Sequence, residues 1–259
     1  MECYVCRIFM KGSVVAIIVS LNVFDAVGSW FQGIADAFYG TFIENSRYLL
    51  FLQGLGVTLL LAVVATLIGV VVGIMVAIVR VYSAQTGKLK VLDKIFGVYI
   101  TVVRGIPMVV LLMIFYFLIF PNVYNAVGVA ALAFGLNSGA YVAEIVRSGI
   151  MSIDIGQTEA GRSLGLSTAA TMRHIVLPQA IKNILPALGN EFITVLKETS
   201  VAGYVGVMDL TKAADIVKSR VFNVFFALFA IALMYLILVL GLSALLKHFE
   251  RRLARSDRK

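Results

Sequence analysis

Charged residues, cysteines and histidines are scarce in this sequence. Of its 259 residues, 14% are charged and 61% are hydrophobic, and the mean hydropathy is +0.98. A soluble globular domain carries about 25% charged residues, so this composition excludes an ordinary soluble protein and indicates a polytopic membrane protein. The two cysteines, Cys3 and Cys6, cannot complete a structural zinc site, and we interpret their C-x-x-C spacing as incidental.

The sequence also lacks the phosphate-binding motif G-x-x-x-x-G-K-[ST]. The nearest stretch, "TGKL" at 86–89, has Tyr82 at the first glycine position and Leu89 at the hydroxyl position. The chain therefore cannot bind ATP by that route, and ATP-driven transport would need a partner chain. No metal cluster, Ser/His/Asp arrangement or cofactor motif is visible, so we expect no enzyme activity, no metal and no cofactor.

Long apolar runs dominate what is present, and they predict an all-α membrane domain over residues 49–246. The first run contains "GVVVG" at 69–73, a small-xxx-small pattern that permits close helix packing. The predicted spans are about 49–79, 95–120, 126–150, 179–201 and 221–246.

Three segments lie outside the predicted spans at the two ends of the chain. Residues 30–48 mix aromatic and charged side chains, which is typical of an amphipathic segment at a membrane interface. Residues 1–29 stay unassigned, either as an N-terminal extension or as a signal-like segment. Residues 247–259 form a basic tail.

Lysine and arginine are distributed unevenly between the two sides that five spans create. Residues 80–94, 147–182 and 247–259 fall on one side and carry four, four and six of them. Apart from the unassigned residues 1–29, the other side carries Arg47, Lys212, Lys218 and Arg220. The positive-inside rule therefore predicts an extracytoplasmic N-terminus and a cytoplasmic C-terminus, and it explains the net charge of +8 without nucleic acid binding.

The stretch "EAGRSLGLSTAATMRHIVLP" at 159–178 is polar and basic between two apolar runs. We predict two short helices here. Thr158 caps the first helix, and Gly165 ends it because glycine tolerates positive φ. Ser167 caps the second helix, which runs to about Leu177. Pro178 then turns the chain before it re-enters the membrane.

The same stretch carries a specific spacing. Glu159, Ala160 and Gly161 are followed after three residues by Gly165, and after nine more by "IVLP" at 175–178. This resembles the EAA loop (here residues 151–178) of bacterial ABC importer permeases, with Gly161 in place of the third-position alanine. Three further segments resemble the polar amino acid branch, which takes up histidine, glutamine, glutamate or arginine: "VVRGIPMVVLLMIFYF" (102–117), "NSGAYVAEIVRSGI" (137–150) and "LKETSVAGYVGVMDL" (196–210).

The resemblance covers roughly residues 45–247 and implies the five-helix core of a type I ABC importer permease with a cytoplasmic coupling helix. It implies a multi-pass protein of the bacterial cytoplasmic membrane that dimerises with itself or with a related permease. Cytoplasmic ATPase subunits and an extracytoplasmic binding protein would be its partners, and a polar amino acid its substrate. The residues implied in ATPase coupling are Glu159, Ala160, Gly161, Gly165, Leu166 and Pro178.

Polar residues inside the predicted third span share one helix face. Asn137, Tyr141 and Glu144 follow i, i+4, i+7 spacing. A carboxylate at the membrane centre costs about 2.5–3.5 kcal/mol, so Glu144 should face a translocation path or a partner. The alternative is polar packing between helices, with Glu144 paired to Arg104 or Arg147.

The predicted fourth span adds Glu191 and Glu198, which are seven residues apart and share a face. Lys197 and Glu198 form either a self-neutralising pair or a gate. Acidic groups along a path suit a cationic amino acid, or the α-ammonium group of any amino acid. The candidate path residues are Asn137, Ser138, Tyr141, Glu144, Glu191, Lys197, Glu198 and Thr199, and the second-span motif contributes Arg104 and Pro107.

Two other functions stay open on the sequence. An ion-coupled secondary transporter or channel would need no ATPase, and it commonly has an internal repeat, which is not evident here. A membrane scaffold or enzyme would use the EAA loop only as a connector.

Overall fold

The computed structural model describes residues 29–255. All regular secondary structure in this range is helical, which confirms the predicted all-α class. Cys3, Cys6 and the rest of residues 1–28 lie outside the described residues, as do residues 256–259 of the basic tail.

The first described helix, α1, covers residues 29–38 and continues as a π-helix over Tyr39–Ile43 and a 3₁₀ turn over Glu44–Ser46. Asn45 and Ser46 have φ of 53° and 55°, so the chain changes direction here. Trp30 and Phe31 are 62% and 61% exposed. The position of this segment at a membrane interface remains a prediction.

Helix α2 spans Tyr48–Thr86 and contains the whole predicted span 49–79. The helix does not end near Arg80, because the polar residues 80–86 still form backbone hydrogen bonds. It ends at Gly87, whose φ of +68° is left-handed and whose N–H donates to the Ser83 carbonyl at 2.9 Å. Glycine adopts this conformation without steric cost.

Helices α2 and α5 (Ala126–Met151) form a close pair. A Cβ added at Gly69 would lie 2.8 Å from the Ser138 Cβ, and one at Gly73 would lie 2.5 Å from the Val142 Cβ. The two glycines of the small-xxx-small pattern therefore allow the α2 backbone to contact α5 directly.

The residues of the predicted span 95–120 do not form one continuous helix. Helix α3 (Lys90–Gly105) and the following helical segment (α4, Met108–Met113, then a π-helix over Ile114–Ile119) are bent by 109°. Pro107 causes the break, because it lacks an N–H donor and disfavours a helical residue before it. Ile106 is accordingly extended, with φ −98° and ψ 131°.

The remaining helices complete the bundle. After α5 come α6 (Ile155–Ser163), α7 (Thr168–Thr171) with a π-helix over Met172–Val176, α8 (Leu177–Glu198) with a 3₁₀ helix over Thr199–Val205, α9 (Leu210–Val221) and α10 (Val224–Arg255). Side chains from α2, α4, α5 and α8 form one buried cluster that includes Leu61, Leu112, Phe134 and Val195.

Among residues 29–255, three helices are long and apolar enough to cross a membrane, namely α2, α5 and α10. The bent α3–α4 pair would make a fourth. Helix α8, at the predicted fourth span, is not among them, because Lys182, Asn183, Asn190 and Glu191 interrupt its apolar sequence. The limits of all five spans in the membrane remain predictions.

Candidate functional site

Two carboxylates of α8, the buried Glu191 and the half-buried Glu198, meet polar side chains of α5. The Ser138 hydroxyl donates to Glu191 Oε1 at 2.8 Å, and the Asn137 amide donates to Glu198 Oε2 at 3.1 Å. Asn137, Ser138 and Glu191 are at most 8% exposed. Within the described residues, neither carboxylate has a cation within ion-pair distance, although Arg104 attracts Glu191 and Lys197 attracts Glu198 over a longer distance.

Arg104 lies in the last turn of α3, where the helix breaks. Its guanidinium carbon is 4.8 Å from the centroid of the Tyr141 ring on α5, a cation–π contact. Among the residues described, no carboxylate lies within ion-pair distance of Arg104. Arg104 is therefore not the ion-pair partner of Glu144, contrary to one of the two pairings that the sequence offered. Pro107, the other residue of the second-span motif, directly precedes the first residue of α4.

Glu144 is instead paired with two other arginines. Arg147, one turn further along α5, donates to both carboxylate oxygens, as one sequence alternative predicted. Arg80 of α2 lies 3.6 Å from Glu144 Oε2 and also donates to Asp93 Oδ1 of α3 at 3.0 Å. Sequence reasoning missed Arg80 and Asp93, because it placed both in a solvated loop.

Lys197 and Thr199, the two remaining path candidates, lie at the end of α8 and directly after it. Lys197 is exposed and does not come within ion-pair distance of Glu198, so the two side chains form no direct salt bridge. The charge of Glu198 faces Asn137 because helix α8 presents positions 197 and 198 to different sides. Thr199 is fully buried, and its hydroxyl donates to the Leu196 carbonyl at 2.7 Å.

A cavity of about 690 Å³ lies between α2, α3 and α5. Arg104 and Glu144 both line it, together with Arg80 and Asp93. Of the predicted path residues, the structure thus gathers two groups on α5: Asn137 and Ser138 against α8, and Glu144 at this cavity.

The EAA loop begins differently from the prediction. Asp154 caps α6 by accepting from the Gly156 N–H at 2.6 Å, so the cap assigned to Thr158 is wrong. Asp154 directly precedes Ile155, the first residue of α6, and Thr158 lies one turn inside that helix.

The turn between α6 and α7 is as predicted. Gly165 has φ +84°, its N–H donates to the Arg162 carbonyl at 3.0 Å, and the Leu166 N–H donates to the Gly161 carbonyl at 3.2 Å. These are the two hydrogen bonds of a Schellman motif. The Ser167 hydroxyl then caps α7 by accepting from the Ala170 N–H at 3.2 Å.

The predicted turn at Pro178 is wrong. Leu177 is helical with φ −63° and ψ −42°, and the chain stays helical from Thr168 to Glu198. Pro178 occupies the first turn of α8, where a missing N–H costs least, and the preceding π-helix accommodates the ring.

The residues of α6 point in two directions. Glu159 and Ala160 are exposed, and Leu164 is 81% exposed. Gly161 is buried, and a Cβ there would lie 2.7 Å from Thr171 Cγ2. Glycine in place of alanine at this position therefore permits α6 to pack closely on α7.

Asp209 is a buried residue that the sequence analysis did not select. It caps α9 by accepting from the N–H groups of Thr211 and Lys212, both at 3.0 Å. The adjacent Leu210 N–H donates to the Thr58 hydroxyl of α2 at 3.1 Å. An Asp directly before a helical stretch is a capping signal, so the sequence contained this information.

Comparison with protein families gives a match over residues 69–255, which is more than half of the chain. The matching family is described as the binding-protein-dependent transport system inner membrane component. The chain belongs to this family. The resemblance stated from the EAA loop is therefore confirmed.

The chain is similar to several curated bacterial permeases. It is 37% identical over 210 residues to the putative glutamine transport system permease protein GlnP of Rickettsia felis, covering 80% of this chain and 94% of the relative. It is 35% identical over 209 residues to GlnP of Escherichia coli, covering 79% and 93%. The probable glutamine ABC transporter permease protein GlnM of Bacillus subtilis is 35% identical over 213 residues, covering 81% and 96%.

Solved structures agree with this family. A chain in a crystal structure of an amino acid ABC transporter with histidines is 42% identical, with a TM-score of 0.75 over 82% of this chain and 98% of that chain. The MetNI methionine ABC transporter in an inward-facing conformation is 21% identical with a TM-score of 0.66, over 80% of this chain and 97% of that chain, and it shows the fold alone. The protein is a multi-pass permease subunit of an ABC importer with the type I fold.

Proposed function

We propose that this permease translocates a polar amino acid across the cytoplasmic membrane. In this proposal it works with a separate cytoplasmic ATPase, an extracytoplasmic binding protein and a second permease copy, and it hydrolyses no ATP itself. The names of the glutamine permease relatives and the structure of the amino acid transporter with histidines support the substrate class.

The observation that carries the substrate proposal is the pair of carboxylates on α8, of which Glu191 is buried and Glu198 is half-buried. Glu191 and Glu198 are held by Ser138 and Asn137, and no cation of the described chain lies within ion-pair distance of either. A buried charge is costly unless it is paired. The ammonium group of an amino acid supplies the missing positive charge, and a cationic side chain would supply a second one.

The carboxylate of the substrate needs a cation in turn. Arg104 is exposed at the break in the α3–α4 segment and contacts the Tyr141 ring, which orients its guanidinium. We assign these two residues to the path with Asn137, Ser138, Glu191 and Glu198. Glu144 takes the cytoplasmic end, and Lys197, Thr199 and Pro107 position the surrounding helices.

The EAA loop is the proposed contact with the ATPase. Glu159, Ala160 and Leu166 are exposed and would touch the partner, whereas Gly161, Gly165 and Pro178 shape the loop. The Lys/Arg distribution supports a cytoplasmic loop and C-terminus and an extracytoplasmic N-terminus.

The test is capture and transport by the intact complex. The tagged chain is expressed in its host, solubilised gently, and reconstituted with its partners for uptake of labelled glutamine, histidine and arginine. We expect a stoichiometric ATPase and ATP-dependent uptake. Because a β-branched residue at φ +84° is strained by about 1–2 kcal/mol, Gly165→Val should lower ATPase capture about five- to thirtyfold.

Gly241→Val is the matched control, since Gly241 is helical, has negative φ and has open space around its α-carbon. Capture should be unchanged in this variant. Uptake by the chain alone in liposomes without ATP would contradict the proposal and favour an ion-coupled transporter.

A further inference from the structure

A partly enclosed cavity lies between the EAA loop and the adjoining ends of α2 and α5. Its volume is about 520 Å³, and sites for small organic ligands typically have about 300–1,000 Å³. The Lys/Arg distribution predicts that these helix ends are cytoplasmic. Most of the wall is apolar and comes from all three elements, including Val81 and Ala84 of α2, Ile150 of α5, and Met172 and Val176 of the EAA loop.

Two charged side chains at this cavity have hydrogen-bonding capacity that the described chain does not fully use. Arg147 donates to both carboxylate oxygens of Glu144 through Nε and Nη2, but its Nη1 donates to the Sδ atom of Met151 at 2.9 Å. A thioether is a weak acceptor. Arg80 donates to Oδ1 of Asp93, so among the described contacts the second oxygen, Oδ2, is left to accept from a ligand. The cavity therefore offers a cationic donor and an anionic acceptor beside an apolar wall.

This combination selects a ligand with an apolar body and a head group that carries both charges. A phosphate or carboxylate fits Arg147, because a guanidinium presents its donors in a fork that matches these groups. A ligand with negative charge alone would be repelled by Asp93, which lines the same cavity. A primary ammonium next to the oxyanion removes this repulsion, since it donates a charge-assisted hydrogen bond to the carboxylate. A phospholipid with an ethanolamine head group has all three features.

The rim of the cavity suits a ligand that comes from the membrane. Met151 and Ile155 line the cavity and are 64% and 73% exposed, although both are apolar. Pockets between membrane helices on the cytoplasmic side are places where lipid head groups bind. A free apolar amino acid carries the same two charges, so it is the competing ligand that an experiment must separate.

We propose that this cavity binds one phospholipid of the cytoplasmic leaflet, with its phosphate on Arg147, its ammonium on Asp93 and part of an acyl chain along the apolar wall. This inference rests on the proposed orientation of the chain in the membrane. Glu144 keeps its two hydrogen bonds from Arg147, and the phosphate replaces the weak thioether contact. The lipid touches α2, α5 and the EAA loop at once. It binds the folded complex only, and therefore stabilises it.

The test measures lipid binding and thermal unfolding of the delipidated complex of this permease with its partners. Three dioleoyl phospholipids are added separately, with ethanolamine, choline or glycerol head groups. Native mass spectrometry should show one ethanolamine lipid per permease copy, and this lipid should raise the unfolding temperature. The choline lipid should bind about tenfold more weakly, because its trimethylammonium cannot donate to Asp93, and the glycerol lipid should also bind about tenfold more weakly, because it has no ammonium.

Two pairs of variants test the head group and the wall separately. Asp93→Asn should bind the ethanolamine and glycerol lipids equally, since the charge that distinguishes them is lost. Asp215→Asn is its matched control, because Asp215 forms a comparable ion pair with Lys218 on α9, and it should keep the parent's preference. Ala84→Trp should fill the cavity and remove the bound lipid, whereas Ala244→Trp on the exposed surface of α10 should not.

The proposal is overturned if the parent complex shows no preference for the ethanolamine lipid. It is also overturned if Ala84→Trp assembles normally and binds as much of this lipid as the parent. Displacement of the lipid by free leucine would assign the site to an apolar amino acid instead.

These measurements need neither ATP nor a transported substrate, so they are independent of the transport proposal. A complex that prefers the ethanolamine lipid but shows no ATP-dependent uptake contradicts only the transport function. A complex that transports normally without this preference contradicts only the lipid site.

Discussion

Glu144 and Glu191 are both carboxylates on helices that pack together, yet their surroundings are opposite. Glu144 is partly exposed and touches two arginines, whereas Glu191 is 8% exposed and is held by the neutral hydroxyl of Ser138. A paired charge at a helix end is satisfied within the protein. An unpaired buried charge is not, so the second environment is suited to an external cation and the first to internal fastening.

The sharpest test of this difference is Glu191→Gln, for which we expect the largest effect. The amide still accepts from Ser138 but offers no negative charge to a substrate ammonium. Loss of one partner of a buried charge pair costs about 2–5 kcal/mol, so kcat/KM for uptake should fall about 30-fold to several-thousandfold.

The measurement is initial uptake rate against substrate concentration in proteoliposomes, with assembly checked by size-exclusion chromatography. Glu250→Gln, near the end of α10, is the control and should transport normally. An unchanged kcat/KM in Glu191→Gln would remove Glu191 from the path.

Gly73→Val should have the next largest effect, because it disrupts the packing of α2 on α5, the helix that carries both Glu144 and the Ser138 partner of Glu191. Its added Cβ would lie 2.5 Å from Val142, so α2 must move away from α5. Overpacking of this kind costs about 1–3 kcal/mol, and thermal unfolding of the purified complex should begin several degrees lower. Gly56→Val, where the glycine has open space, should not lower the unfolding temperature, and equal shifts in both variants would argue against the close α2–α5 contact.

Glu144→Gln should have the smallest effect on substrate recognition. The ion pairs of Glu144 are partly exposed and are each worth about 0.2–1 kcal/mol, so KM should change by less than about fivefold. A loss of transport as large as that of Glu191→Gln would erase the distinction between the two carboxylates.

Local sequence patterns predicted those features that depend on neighbouring residues. The predicted span 126–150 matches Ala126–Met151, and Gly165 and Ser167 have the turn and cap that their residue types favour. The close α2–α5 contact likewise follows from small residues spaced four apart.

Local sequence patterns did not predict the features that depend on tertiary packing. Arg80 and Asp93 are thirteen residues apart and meet only because α2 and α3 are folded back on each other. The extension of α2 to Thr86 and the passage of a helix through Pro178 are also decided by neighbouring helices, which override local propensity. The sequence left open whether Lys197 and Glu198 form a pair or a gate, and the contact of Glu198 with Asn137 depends on how α8 packs against α5.

The unbroken course of the chain through Pro178 has a mechanical consequence. Because the backbone stays helical from Thr168 to Glu198, the end of the EAA loop and the carboxylates of Glu191 and Glu198 belong to one continuous helical segment. No non-helical joint lies between them, so a displacement of Thr168 would be passed along this segment toward both carboxylates.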